Sequence, residues 1–261
     1  MTSTGRLREW APALAVLVGG IVLWQVLVTV LDIQRFLLPK PTEIVSALNE
    51  NAELFWAAGL YTFGEAVGGF LIGSTFAIAV ALLLARFRPL GSALMPYAVA
   101  ASAIPIVAFA PIMNNWFGLT NPFSKMAIAA VLCFFPVMVN TLRGLTSVDV
   151  RSIELMRSYG AGELATFRSV RIPNSLPFMF TGLKVAAVLS MIGAIVGEYF
   201  GGPTNALGVS ILNDTQLFNF PRAWAGIALA SAFGIVFYGA VALVERLTTS
   251  WHPSSRGLRG E

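Results

Sequence analysis

Long uncharged apolar runs alternate with short polar segments along this 261-residue chain. A helix needs about 20 apolar residues to cross the hydrocarbon core of a bilayer. Residues 11–31 form one such run and carry no charge before Asp32. The run is too long for the apolar core of a signal peptide and shows no obvious small-residue cleavage site, so a retained span is expected. Residues 62–85 form the second run, with Glu65 near its edge. Residues 89–124 carry no charge but are too long for one helix, which sets the third span at 90–112. The fourth is 126–142, the fifth 174–196 and the sixth 223–244, with Lys184 interrupting the fifth. The expected fold is an all-α integral membrane protein of six transmembrane helices, a single membrane domain over 1–261.

Three segments between spans carry further pattern. After Leu37-Leu38-Pro39-Lys40-Pro41, Thr42 is a plausible N-cap. Residues 43–55 then place Ile44, Ala47, Leu48, Leu54 and Phe55 against Glu43, Glu50 and Glu53, as in a helix lying at the membrane interface. In 198–222, Gly201-Gly202-Pro203 and Gly208 break the helix. Ile211, Leu212, Leu217, Phe218 and Phe220 are apolar enough to be half-buried in a re-entrant or interfacial piece. The segment 143–173 is longer than a return crossing requires.

Composition agrees with lipid as the main solvent: 56% of residues are hydrophobic and 11% charged, against about 25% charged in soluble domains. A soluble enzyme, a nucleic-acid-binding module and a disordered tail are thereby set aside. With the N-terminus inside, the inside segments hold Arg6, Arg8, Arg86, Arg88, Arg143, Arg151, Arg157, Arg168, Arg171, Arg246, Arg256 and Arg259. The outside segments hold only Arg35, Lys40, Lys125 and Arg222. This asymmetry places both termini in the cytoplasm. The net charge of +4 is then a topology signal, with no nucleic-acid partner implied. The single cysteine, Cys133, reads as a small buried hydrophobe, and His252 is the only histidine. No metal-ligand cluster and no GxxxxGK[ST] phosphate loop occurs, so no cofactor is expected on this chain and any nucleotide it depends on is bound elsewhere.

The inside loop is the most informative stretch. Asp149 is a plausible N-cap for a helix to Tyr159, with Ile153, Met156 and Tyr159 on one face. Gly160 and Gly162 end that helix. A second short helix over 163–170 shows Leu164 and Phe167 on one face, and Pro173 restarts the chain at the head of the fifth span. The apolar faces of these two helices lack a partner in the sequence pattern. Either they tuck under the ends of the spans, or they dock in a groove of a cytoplasmic protein.

The spacing of this loop resembles the EAA loop of bacterial ABC importer permeases. Glu154 stands first, Gly160 follows six residues later, and Val170-Arg171-Ile172-Pro173 closes the motif, with Leu155 and Met156 in place of the two alanines. Leu38-Pro39-Lys40-Pro41, the stretch from Pro105 to Pro111, Trp116-Phe117-Gly118, Phe134-Phe135-Pro136, and Glu198 with Leu207-Gly208 resemble the nitrate/sulfonate/taurine branch of that family. The resemblance implies a type I importer fold and a permease homodimer in the bacterial inner membrane. It implies a cytoplasmic ATPase dimer that holds ATP and Mg, and an extracytoplasmic binding protein that delivers the solute. The coupling loop to the ATPase would then include Glu154, Met156, Tyr159, Gly160, Glu163, Phe167, Ile172 and Pro173.

The path through the membrane is less legible. Ala98, Ala100, Ala101, Ser102 and Ala103, with Pro96, Pro105 and Pro111, form either a helix-packing face or a pore-lining gate. Asn114 follows at the outer end of this span. Lys184 either snorkels to the cytoplasmic face, pairs inside the bundle, or joins the path. Glu65 and Glu198 read as interfacial groups or structural partners rather than substrate ligands. The candidate path is therefore Ala101, Ser102, Pro105, Asn114, Lys184 and Glu198. The rival class is an ion-coupled secondary transporter or channel, which commonly shows repeats and several buried ionisable groups. The substrate is expected to be a small organic molecule, either a sulfonate-, taurine- or nitrate-type anion or a heterocyclic vitamin precursor. Trp116, Phe117, Tyr199 and Phe200 near the outer mouth lean toward a planar one.

Overall fold

A computed structural model describes residues 3–87, 93, 96–97, 100 and 105–249, with side chains from Ala11 onward. Its helices are α1 (Ser3–Val30), α2 (Pro41–Glu50), α3 (Ala52–Arg86), α4 (Ile106–Phe117), α5 (Pro122–Thr146), α6 (Val150–Ser158) and α7 (Glu163–Thr166). A π-helical turn, Phe167–Arg171, leads into α8 (Ile172–Tyr199), followed by α9 (Leu207–Gln216) and α10 (Phe220–Thr248). No strand occurs among the described residues. Among the described residues, five segments are long and apolar enough to cross a membrane: Ala11–Val30, α3, α5, the run Glu163–Tyr199, and α10. Most of the third expected span, with Ala101 and Ser102, lies outside the described residues. Its described end, α4, runs past residue 112 to Phe117.

Local chemistry explains where the helices depart from the sequence pattern. Lys40, not Thr42, is the N-cap of α2. Pro41 takes the first helical position, where its missing N–H costs nothing, and the Lys40 N–H donates to Glu43 Oε2 at 3.2 Å. The interfacial helix ends at Glu50 rather than at residue 55, because Asn51 leaves helical geometry at φ −122°, ψ 26°. Leu54 and Phe55 belong instead to the first turn of α3. The fourth span starts at Pro122, since the Asn121 side chain caps α5 by accepting from the Phe123 N–H at 3.0 Å. Pro173 does not restart the chain. Helical structure is continuous from Glu163 to Tyr199, and the expected helix over 163–170 is one α-helical turn followed by the π turn.

The bundle packs on small residues. In lipid, helices associate through close backbone approach rather than through expulsion of water. A Cβ added at Gly69 would meet Ala129 Cβ at 2.5 Å, and one at Gly73 would meet the Ala130 carbonyl oxygen at 2.3 Å. α3 and α5 therefore run parallel, backbone against backbone. Between α5 and α8, Gly144 faces Ser175, Gly182 faces Pro136, and Gly193 faces Ala129. This order makes α8 antiparallel to α5. Larger rings fill the next layer, with Phe63 and Phe70 of α3 against Phe233 and Phe237 of α10.

The contacts define two ends. Arg86, at the end of α3, pairs with Glu163 at 3.1 Å, so α3 finishes beside the segment 147–171. This is the loop end. The opposite end carries α2, α9 and the starts of α3, α5 and α10.

Candidate functional site

At the loop end, Asp149 caps α6 by accepting from the Arg151 N–H at 3.0 Å. Tyr159 closes the helix, and Gly160 turns the chain at φ +71°, a left-handed conformation that favours glycine. No residue of α6 is buried. Glu154 and Leu155 are exposed, Ile153 and Met156 half-buried, and Tyr159 is 79% exposed. Beyond the turn, Glu163 is exposed and Leu164 is 71% exposed. Thr166 is buried, and Phe167 and Ile172 pack against the main core. Pro173 is half-buried in the first turn of α8. The two faces expected to share a partner thus divide. The Phe167 side tucks under the bundle, while Leu155, Tyr159 and Leu164 stand outside it.

Within the bundle, Lys184 Nζ lies 2.6 Å from Glu245 Oε2. Glu245 is in the last turn of α10, so the ion pair sits toward the loop end and binds α8 to α10. Both side chains are about one-fifth exposed. Cys133 is fully buried, and its thiol donates to the Ala186 carbonyl at 3.3 Å.

The far end holds a polar cluster. Glu198, at the end of α8, is 1% exposed, and Glu65 on α3 is 2% exposed. Lys125 was expected in an outside loop, but it lies in the first turn of α5, is fully buried, and donates to the Leu119 carbonyl. Thr62 Oγ1 donates to Glu198 Oε1 at 2.6 Å and accepts from the Leu207 N–H at 3.0 Å. The Gly208 N–H donates to Glu198 Oε2 at 2.6 Å. A helix leaves its first N–H groups without partners, and its own N-cap residue usually supplies one. Here that residue is Ala206, whose methyl side chain has no acceptor to offer. Thr62 and Glu198 supply the cap from two other helices, with the carboxylate against the positive end of the α9 dipole. A Cβ at residue 208 would meet Glu198 Oε2 at 2.6 Å and the Ile195 backbone carbonyl oxygen at 2.9 Å, and the second cannot swing aside, which favours glycine there.

Around this cluster, Asn114 is buried and donates to the Gly197 carbonyl at 3.1 Å, tying α4 to the end of α8. Pro105 is exposed at the N-cap of α4. Ile211 is buried on the inner side of α9, but Leu217 and Phe218 are exposed rather than half-buried. Leu217 is the C-cap of α9, and Phe218 after it has φ +59°. Asp214 is buried and pairs with Arg222 at 3.3 Å. Burial pushes its carboxyl up, while Arg222 pulls it down. Trp116, Phe117, Tyr199 and Phe200 are all exposed at this end. Sequence reading missed the burial of Glu65 and Lys125. The one available signal was the coincidence of Glu198 with Leu207-Gly208 in the branch pattern.

The spans and the protruding helical loop define a multi-pass helical membrane protein. The chain belongs to the family described as the binding-protein-dependent transport system inner membrane component, which matches residues 69–250. It is 33% identical over 251 residues to the riboflavin transport system permease protein RibX of Chloroflexus aurantiacus, covering 94% of this chain and 92% of that one. It is 32% identical to the formylaminopyrimidine transport permease protein ThiX of Halalkalibacterium halodurans, covering 88% and 91%. It is 27% identical to the putative aliphatic sulfonates transport permease protein SsuC of Bacillus subtilis, covering 97% and 92%. A crystal structure of an amino acid ABC transporter with histidines superposes with a TM-score of 0.61 at 16% identity, covering 76% of this chain and 96% of that chain. This likeness shows the fold. The chain is a permease, a transport component of an ABC importer.

Proposed function

We propose that this chain forms the translocation path of an ATP-driven importer for a small, planar, heterocyclic organic solute. Two permease copies assemble with a cytoplasmic ATPase dimer that holds ATP and Mg, and an extracytoplasmic binding protein delivers the solute to the far end. The loop end and both termini face the cytoplasm, in keeping with the Arg-rich inside segments. The observation that carries this reading is the loop itself. Leu155, Tyr159 and Leu164 are exposed outside the bundle formed by the described residues, on helices joined at Gly160. Such exposed apolar groups on short helices fit a groove on a partner protein. ATP binding closes the ATPase dimer, draws the two loops together, and rocks the rigid α3–α5–α8 bundles past one another.

The heterocyclic solute is favoured over a sulfonate or taurine-type anion because the riboflavin and formylaminopyrimidine permeases share about a third of this sequence. The exposed aromatics at the far end suit a flat ring. The decisive experiment reconstitutes the permease with its ATPase and binding protein and measures uptake of riboflavin, formylaminopyrimidine and taurine. ATPase-dependent uptake of a heterocycle is expected. Uptake that survives an inactive ATPase would sink the importer reading, and uptake of taurine alone would sink the substrate reading. A Gly160→Trp variant should insert normally and hydrolyse ATP with uptake reduced at least about tenfold. Parental uptake would show that force does not enter through this turn.

A further inference from the structure

α9 is held at both of its ends by other helices. Its first turn rests on α3 and α8, where Thr62 Oγ1 accepts from the Leu207 N–H at 3.0 Å and Glu198 Oε2 accepts from the Gly208 N–H at 2.6 Å. Its last turn rests on α10, where Asp214 Oδ1 lies 3.3 Å from Arg222 Nε. Thr62 Oγ1 also donates to Glu198 Oε1 at 2.6 Å, so α3, α8 and α9 meet at one buried point. α3 and α8 meet again at the loop end, where Arg86 pairs with Glu163 at 3.1 Å. α8 has 28 residues, about 42 Å at 1.5 Å per residue, enough to cross the bilayer. Helical structure continues back from it to Glu163. One continuous helical run thus carries the turn of the inside loop at one end and Glu198 at the other. Coupling over such a distance travels through rigid elements and the hydrogen bonds that join them. Glu198 is where this run is joined to α9. The other direct route is the chain 200–206, which includes Gly201 and Gly202, whose backbone admits many conformations.

Building on the importer function above, we propose that Glu198 is a positioning residue of the transport cycle. With Thr62 it makes α9 move as one body with α3 and α8, so that displacement entering at the loop end is delivered to the far end.

The test uses the permease reconstituted with its ATPase and binding protein. Uptake per ATP hydrolysed is measured with whichever of riboflavin, formylaminopyrimidine and taurine is imported, beside the position of α9. Cys133 is the only cysteine and is buried, whereas Asn205 is exposed just before α9, so a spin label on Asn205→Cys marks one site per copy. In the parent, the label-to-label distance in the permease dimer should shift by at least about 2 Å when ATP is trapped. Glu198→Ala and Thr62→Val should each broaden the distance distribution and abolish the shift. Uptake per ATP should fall at least about fivefold in both, with ATP hydrolysis within about twofold of the parent. The proposal is overturned if either variant keeps the parental shift or the parental uptake per ATP. It also fails if the parental label stays still while ATP is hydrolysed, or if uptake and hydrolysis fall together in the variants, which marks a merely structural loss. The label needs no solute, so the distance decides even where none of the three is taken up. Uptake that survives an inactive ATPase overturns the importer function separately, on the parent alone. If Glu198→Ala does not fold, Thr62→Val and Gly208→Ala, which drives α9 off an intact carboxylate, decide.

Discussion

Replacing Gly73 by alanine tests whether the bundle is held by backbone approach. The new Cβ would lie 2.3 Å from the Ala130 carbonyl oxygen and 2.8 Å from Ala130 Cα. Both are backbone atoms of a neighbouring helix, so no rotamer can relieve the clash. Restoring ordinary contact requires α3 and α5 to part locally by about 1 Å, a gap that forfeits a quarter to a half of each affected contact well. Overpacking of this kind costs about 1–3 kcal/mol. Gly64 provides the control. It lies on the same helix, faces outward, and an added Cβ meets nothing within 4 Å. Gly64→Ala removes a flexible residue from a helix interior and should be neutral or stabilising by up to about 1 kcal/mol. The two variants should therefore differ by about 2 kcal/mol, some thirtyfold in the folded-to-unfolded ratio. Reversible unfolding in mixed micelles of increasing denaturing-detergent fraction, followed by circular dichroism, measures the difference. If Gly73→Ala fell within about 0.5 kcal/mol of Gly64→Ala, the seam between α3 and α5 would not be the close contact described.

Two further outcomes follow from the placement of polar groups. Lys184→Met strands Glu245 in a partly buried site and should destabilise the bundle by about 1–3 kcal/mol, while Lys184→Met with Glu245→Gln should recover at least half of that. Equal stability of the single and double variants in the same unfolding assay would show that the 2.6 Å pair contributes nothing. Asp149→Ala removes the cap of α6 and should weaken that helix by about 1 kcal/mol. Hydrogen exchange over residues 151–155 should then rise several-fold with the global unfolding midpoint unchanged, because α6 buries no side chain. A fall in the midpoint would mean that α6 supports the bundle.

The spans were legible because lipid imposes a length and a polarity that any membrane helix must satisfy. Local turn chemistry was also legible where one residue decides it. Asp149 sits where its carboxylate reaches a free N–H, and Gly160 sits where the chain turns left-handed. The errors arose where two local signals competed. Thr42 is a good cap residue, but Pro41 already fits the first helical position, and the helix starts there. Pro173 reads as a break, yet the first turn of a helix tolerates it, and the preceding π turn carries the helix through.

The buried charges were not legible, and the reason is separation along the chain. The Thr62–Glu198 bond joins residues 136 apart, and the Thr62–Leu207 bond joins residues 145 apart. No periodicity within a window of one or two helices reports such a pair. A charge near the end of an apolar run has two placements of equal local merit, one in the headgroup layer and one folded into the bundle. Which one wins depends on whether other helices bring partners to it. Glu198 finds Thr62 and the free N–H groups of α9, and Lys184 finds Glu245. Both ionisable groups of the expected path are thereby engaged in holding helices together. A solute ligand among them would have to break an existing bond before it could bind. Asn114 is constrained in the same way on its amide side by Gly197, but its side-chain oxygen is buried with no donor among the described residues. Among the described residues assigned to the path from sequence, Asn114 is therefore the one with a side-chain polar atom left unengaged, and that atom is buried.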